Sequence, residues 1–172
     1  KLDDILVTRI ELANFLHNEL SSIDCLETYP PEEKNEHAYY VFPIKYFAEK
    51  SGLPRNLFVK AVNAEFPDPE GWESVPLAEG YIEPLYLNPI YQNKIAIGTK
   101  GFPFNYIKGA NYDYSKGICP ITEDMYYNKM LITPLVREPL SISDIKDLVY
   151  AIKKVLNHSN LNKMLLILNS RK

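Results

Sequence analysis

Basic residues, histidine, cysteine and long apolar runs are all scarce in this chain, and each shortage removes a class of function. Nineteen Lys and Arg face 22 Asp and Glu, a net charge of −3 over 172 residues. A protein that neutralises nucleic-acid phosphates needs a basic excess, so nucleic acid is not an expected partner. The two cysteines, Cys25 and Cys119, are too far apart in sequence to form a zinc knuckle or a disulfide framework. They read as free thiols of a reducing compartment. No apolar run reaches the ~18 residues that a membrane span requires, and no signal peptide precedes the first helical pattern. No membrane partner is therefore expected, and the cytoplasm is the expected location. The sequence has no H-E-x-x-H, no metal-spaced Cys/His cluster, no Walker loop, no G-x-S-x-G elbow and no kinase signature. Its three histidines, His17, His37 and His158, are scattered. No catalytic residue and no metal ligand is nominated.

What is present is an ordinary globular composition, 46% hydrophobic and 24% charged. A chain of this length buries roughly 70% of its unfolded surface, enough for one domain without staples. The first residue is Lys1, directly followed by a helical pattern. That suggests a piece of something longer, with a trimmed but complete small protein as the alternative.

Apolar spacing predicts a helix over 3–20, carrying Ile5, Leu6, Ile10, Ala13, Leu16 and Leu20 on one stripe. His37 to Tyr46 reads as a strand, and Pro43 inside it points to a sheet edge or a bulge. A helix over 54–66 follows, then a loop over 67–80 that contains the single tryptophan, Trp72, read as a packed side chain. Cys119-Pro120 opens a further helix to about Lys129. Leu131 to Thr133 is a short strand. Ser141 with Asp144 has the spacing of a capping box before a strongly amphipathic helix from Ile142. A short apolar segment over 161–168 closes the chain. The expected fold is α/β in the broad sense (α+β, two layers), with a small, mostly antiparallel sheet covered by helices.

The most distinctive stretch runs from Tyr81 to Gln92 and on through Gly98-Thr99-Lys100-Gly101-Phe102-Pro103-Phe104. Aromatics and prolines dominate it and charges are few. Pro84, Pro89 and Pro103 remove backbone donors and hold the chain in extended or turn conformations. Leu85 to Tyr91 has room for one or two helical turns. Such a loop presents Tyr hydroxyls and amides at fixed points, which suits a polar ring-shaped ligand. It would equally serve as an ordered loop packed by its own aromatics. The loop over 105–118 adds Tyr106, Lys108, Asn111, Tyr112 and Tyr114, residue types that bind sugars or phosphates or cover a core edge.

Taken in order, these landmarks resemble the C-terminal domain of the DegT-type sugar aminotransferases, a pyridoxal-phosphate family of fold type I. Leu2 with Arg9, Ala13 and Leu20 resembles the family's opening helix, and Tyr39-Tyr40-Val41-Phe42-Pro43-Ile44 its aromatic strand. Arg55 with Phe58 and Val62 resembles the next helix. Pro84-Leu85-Tyr86-Leu87-Asn88-Pro89-Ile90-Tyr91 is similar to the family's Pro-Leu-His-x-Gln-Pro-x-Tyr substrate loop, with Tyr86 in place of His and Asn88 in place of Gln. Cys119-Pro120-x-x-Glu123, Leu131 to Leu135, and Leu140-Ser141 with Asp144 resemble the closing segment. The resemblance implies a single domain over 1–172, the C-terminal smaller domain of a homodimeric enzyme. That enzyme would transfer an amino group from glutamate or glutamine to a keto-sugar, of nucleotide-sugar or cyclitol type. It also implies substrate contacts from Tyr86, Asn88 and Tyr91, with Tyr81 and Phe102 as packing support. The Schiff-base lysine and the cofactor cradle belong to the family's N-terminal domain, which nothing in this chain resembles. Lys94, Lys100 and Lys108 lack the required context. No cofactor is therefore expected on this chain, which should be inactive alone. A family-related sugar dehydratase, a regulator, and a non-catalytic sugar-binding or interaction module remain open.

Overall fold

The computed structural model describes residues 2–71 and 74–169, with side chains to 159. Helix α1 (Leu2–Leu20) opens the chain and is followed by β1 (Leu26–Thr28). Next come β2 (Phe42–Tyr46), the single turn α2 (Ala48–Ser51) and α3 (Arg55–Asn63). After β3 (Ala78–Glu79) the chain makes a long excursion, containing a 3-10 turn (Leu85–Leu87) and α4 (Pro89–Gln92). It returns through α5 (Pro120–Asp124), which runs into a π turn (Met125–Lys129). β4 (Met130–Thr133) and α6 (Ile142–Asn169) complete it.

The four strands form one antiparallel sheet in the order β1-β2-β4-β3. Along β2 the side chains alternate: Phe42, Ile44 and Tyr46 are buried, while Pro43 and Lys45 are half-exposed. This is the period of two that a one-sided core imposes. Helix α6 packs against α1 and α3. Together they cover the inward rings, with Leu12, Leu16 and Leu20 of α1, Phe58 and Val62 of α3, and Ile145, Leu148 and Ile152 of α6 in one apolar cluster. Phe58 stacks on Tyr46 at 4.7 Å between ring centroids. Each such side chain, fully buried, contributes about 1.5–3 kcal/mol. The expected small antiparallel sheet covered by helices is therefore the observed architecture.

Several elements differ from the sequence reading. Pro43 lies in β2, second in the sheet order, rather than on an outer strand. The β1 ladder ends at Thr28 opposite Ile44, so Pro43 is paired only with Ile132 of β4. The strand is internal, but the proline occupies a local edge. Residues 37–41 are not strand. Tyr39 has φ +45° and sits in the core at 2% exposure. Its N–H donates to His37 Nδ1 and its carbonyl accepts from Arg9 Nη1 at 2.6 Å. β3 falls at the end of the stretch read as a loop and β1 in a stretch assigned to no element, because three- and two-residue strands carry too little alternation to detect. The helix expected to Lys129 widens to a π turn after Asp124. The segment over 161–168 is a continuation of α6. Trp72 lies outside the described residues.

One half of the capping box is present, the bond from the Ser141 N–H to the Asp144 side chain. Asp144 Oδ2 accepts from Ser141 N at 2.8 Å and from Ser141 Oγ at 2.7 Å. These bonds hold the Asp144 carboxyl below its usual pKa.

Candidate functional site

Residues 81–119 leave the sheet after β3 and return to it through α5. A glycine makes the departure. Gly80 has φ +61°, and its N–H donates to Met130 O at 2.8 Å. A Cβ there would lie 3.1 Å from the Tyr126 ring and 3.2 Å from the Tyr126 carbonyl. The π turn that carries Tyr126 is fastened from the other side by Arg55, whose Nη1 donates to Tyr126 O at 2.7 Å and Met130 O at 3.2 Å. Arg55 also pairs with Glu79 at 3.4 Å. The base of the excursion is thus fixed to the sheet by the Gly80 backbone bond and the Arg55 guanidinium.

Within the excursion, the prolines set the local structure. Pro84 precedes the 3-10 turn, and Pro89 occupies the first position of α4, where its missing N–H costs nothing. These two turns place Tyr86, Asn88 and Tyr91 on one short segment. The Tyr86 hydroxyl donates to Glu123 Oε1 of α5, and the same oxygen accepts from Gly117 N at 2.5 Å. Gln92 makes a second tie, its Nε2 donating to Tyr86 O at 2.7 Å and Tyr114 O at 2.6 Å. The two protons of one amide therefore serve two carbonyls, and one carboxylate oxygen serves two donors. Asn88 Nδ2 donates to Leu85 O at 3.2 Å. Desolvation, then the bond to Glu123, pushes the Tyr86 phenol pKa well up. That bond, first, and the Gly117 N–H hold Glu123 below its usual range. Both shifts describe a neutral phenol donating to an ionised carboxylate.

Tyr91 enters an aromatic cluster. Its ring lies 5.2 Å from Tyr114 and 6.0 Å edge-on from Phe104, and Tyr112 and Tyr114 stack at 6.2 Å. Phe102, Phe104, Tyr106, Tyr112 and Tyr114 line a cavity of about 390 Å³. The two residues expected to give packing support are both substantially exposed, Tyr81 at 40% and Phe102 at 44%. Tyr81 meets Tyr40 edge-on at 6.3 Å, and Phe102 meets Tyr106 at 6.2 Å.

The structure keeps Tyr86, Asn88 and Tyr91 on one segment but sends their side chains to different partners, Glu123, the Leu85 carbonyl and the Phe104–Tyr114 rings, and it adds two residues that sequence reasoning did not select. In the sequence Glu123 figures only in the Cys119-Pro120-x-x-Glu123 landmark, and Gln92 as the last residue of an aromatic stretch. The detectable signal for Glu123 was its place just inside a proline-started helix, where a carboxylate reaches back to backbone donors ahead of the cap. Gln92 left no such signal, since its partners are backbone carbonyls, of Tyr86 and Tyr114, that no side-chain pattern marks.

A Schiff-base lysine has to be held with its amine desolvated. Lys94, Lys100 and Lys108 are all exposed, so none of the three has a desolvated amine. Among the described residues, no group of three or more His, Cys, Asp or Glu is placed to hold a metal ion. No described helix is long and apolar enough to cross a membrane.

No family model and no curated protein matches the sequence. Among solved structures, the fold is similar to that of the aminotransferase TlmJ from Streptoalloteichus hindustanus, with a TM-score of 0.59 at 18% identity. The match covers 91% of this chain and 33% of that one, so this chain spans about a third of its structural neighbour's length. The fold is that of part of an aminotransferase.

Proposed function

We propose that this chain is the C-terminal, smaller domain of a pyridoxal-phosphate-dependent aminotransferase of the DegT type, acting on a keto-sugar. The single observation that carries the reading is that nine-tenths of the chain superposes on one third of an aminotransferase. The ordered sequence landmarks support the narrower family, and the Tyr- and Asn-bearing loop supports a polyhydroxylated substrate. The amino donor is glutamate or glutamine, and the parent works as a cytoplasmic homodimer. The cofactor, with its lysine, is held by the rest of the parent. When bound, it supplies the electron sink through which the amino group passes. Tyr86, Asn88 and Tyr91 form the substrate-side wall and orient the sugar through its hydroxyls.

The test is turnover by the full-length parent. Purified with pyridoxal phosphate, it should convert the cofactor to its amine form when glutamate or glutamine is added. A keto-inositol or a nucleotide-linked keto-hexose should then return it to the aldehyde form. Donor conversion with no sugar acceptor would retain the aminotransferase and reject the sugar. Loss of water from the sugar without amine transfer would assign the dehydratase. No reaction at all would leave a regulator or binding module.

A further inference from the structure

We propose that Glu123 fixes Tyr86 as a hydrogen-bond acceptor toward the substrate, so that the sugar accepted must present a donor hydroxyl at the position facing Tyr86. This inference rests on the reading above, in which the loop faces the sugar. A phenol has one proton and two acceptor lone pairs. The Tyr86 proton is committed to Glu123 Oε1, and Glu123 is held in place by Gly117 N and by its own helix, its N–H donating to Cys119 O at 3.0 Å. The backbone next to the phenol is fixed as well, through Gln92 to Tyr86 O and Tyr114 O. With its proton committed to Glu123, Tyr86 offers only lone pairs to any other partner. Asn88 has one amide proton on Leu85 O, which leaves its other proton and its Oδ1 to serve an acceptor or a donor alike.

Tyr86 is therefore polarised to accept. A sugar hydroxyl satisfies it, whereas a deoxy carbon leaves a half-buried acceptor unpaired. A site built to bond a hydroxyl rejects the analogue lacking it strongly, by up to ~10⁴-fold, while an apolar wall discriminates only weakly. Glu123 contacts no substrate in this scheme. It is a positioning residue, and Tyr86 is the specificity-determining one.

The experiment compares, in the full-length parent, kcat/KM for a keto-inositol and for each of its monodeoxy analogues. The wild type should lose roughly 100-fold or more at one position. Tyr86→Phe should collapse that ratio to under about 10-fold at the same position, chiefly through the hydroxylated substrate. Glu123→Ala should also shrink it. Glu123→Gln, which keeps an acceptor oxygen, should recover part of it. A ratio unchanged in Tyr86→Phe at every position overturns the proposal. If the parent aminates none of these probes, the functional reading fails separately. The pairing is then judged by carbon-13 NMR of the Tyr86 ring in the same protein. Its titration should fall toward that of free tyrosine in Glu123→Ala, and an unmoved titration overturns the pairing.

Discussion

Tyr86 illustrates how one residue's role depends on a partner 37 positions away. Its hydroxyl, expected to reach a sugar, already donates to Glu123, so whatever it gives a substrate comes through its lone pairs. Replacing Tyr86 or Asn88 with Ala in the parent should lower kcat/KM for the keto-sugar by roughly tenfold or more per lost bond, with cofactor attachment unchanged in the absorption spectrum. Wild-type kinetics in both variants would return the loop to simple packing. His17 offers a residue-scale test of the fold. It is 7% exposed, its Nε2 lies 3.2 Å from the Tyr39 hydroxyl, and its Nδ1 has no hydrogen-bond partner among the described residues. Burial, and then neighbouring His37, lower its pKa. The folded state thus binds the proton less readily than the unfolded chain. Stability from His17 is complete above the ordinary histidine pKa near 6.5 and is lost as pH falls below it. Urea unfolding at pH 7.5 and 5.5 should show lower stability at 5.5, with a smaller difference in His17→Gln. An equal difference in both proteins would assign the loss to other groups.

At the scale of elements, what was legible followed from how far each pattern extends. Helices α1, α3 and α6 were readable because their apolar residues recur over several turns, and Ser141 with Asp144 marked the start of α6. β1 and β3 were not, since two or three residues define no period; their pairing to β2 and β4 is a tertiary event. Tyr39 was misplaced into a strand because its aromatic, β-favouring neighbours hide a left-handed backbone that Arg9, His37 and the core hold in place. The loop's local turns were foreseeable from Pro84 and Pro89, but its ties to Glu123 and through Gln92 were not. Gly80 is the element-scale hinge where β3 gives way to the excursion. Gly80→Ala adds a Cβ 3.1 Å from the Tyr126 ring at a φ that L-residues disfavour, a backbone cost of about 1–2 kcal/mol. Thermal unfolding of that variant should drop by several degrees. A wild-type midpoint would mean that Tyr126 moves freely and that the base of the excursion is not fixed.

For the molecule as a whole, a single core organises the helices and sheet, while residues 81–121 hold many of the exposed large hydrophobics, among them Ile82, Leu85, Ile97, Tyr106 and Ile121. The fold covers one third of an aminotransferase, and the lysines of its loops are exposed to water. Under the proposed function, this chain would shape the substrate wall and the remainder of the parent would hold the cofactor. The most direct measurement is to reduce the pyridoxal-loaded, full-length parent with borohydride and map the labelled peptide. One pyridoxyl-lysine is expected, located outside residues 1–172. A label on Lys94, Lys100, Lys108 or any other lysine of this chain, or no label at all, would contradict that expectation.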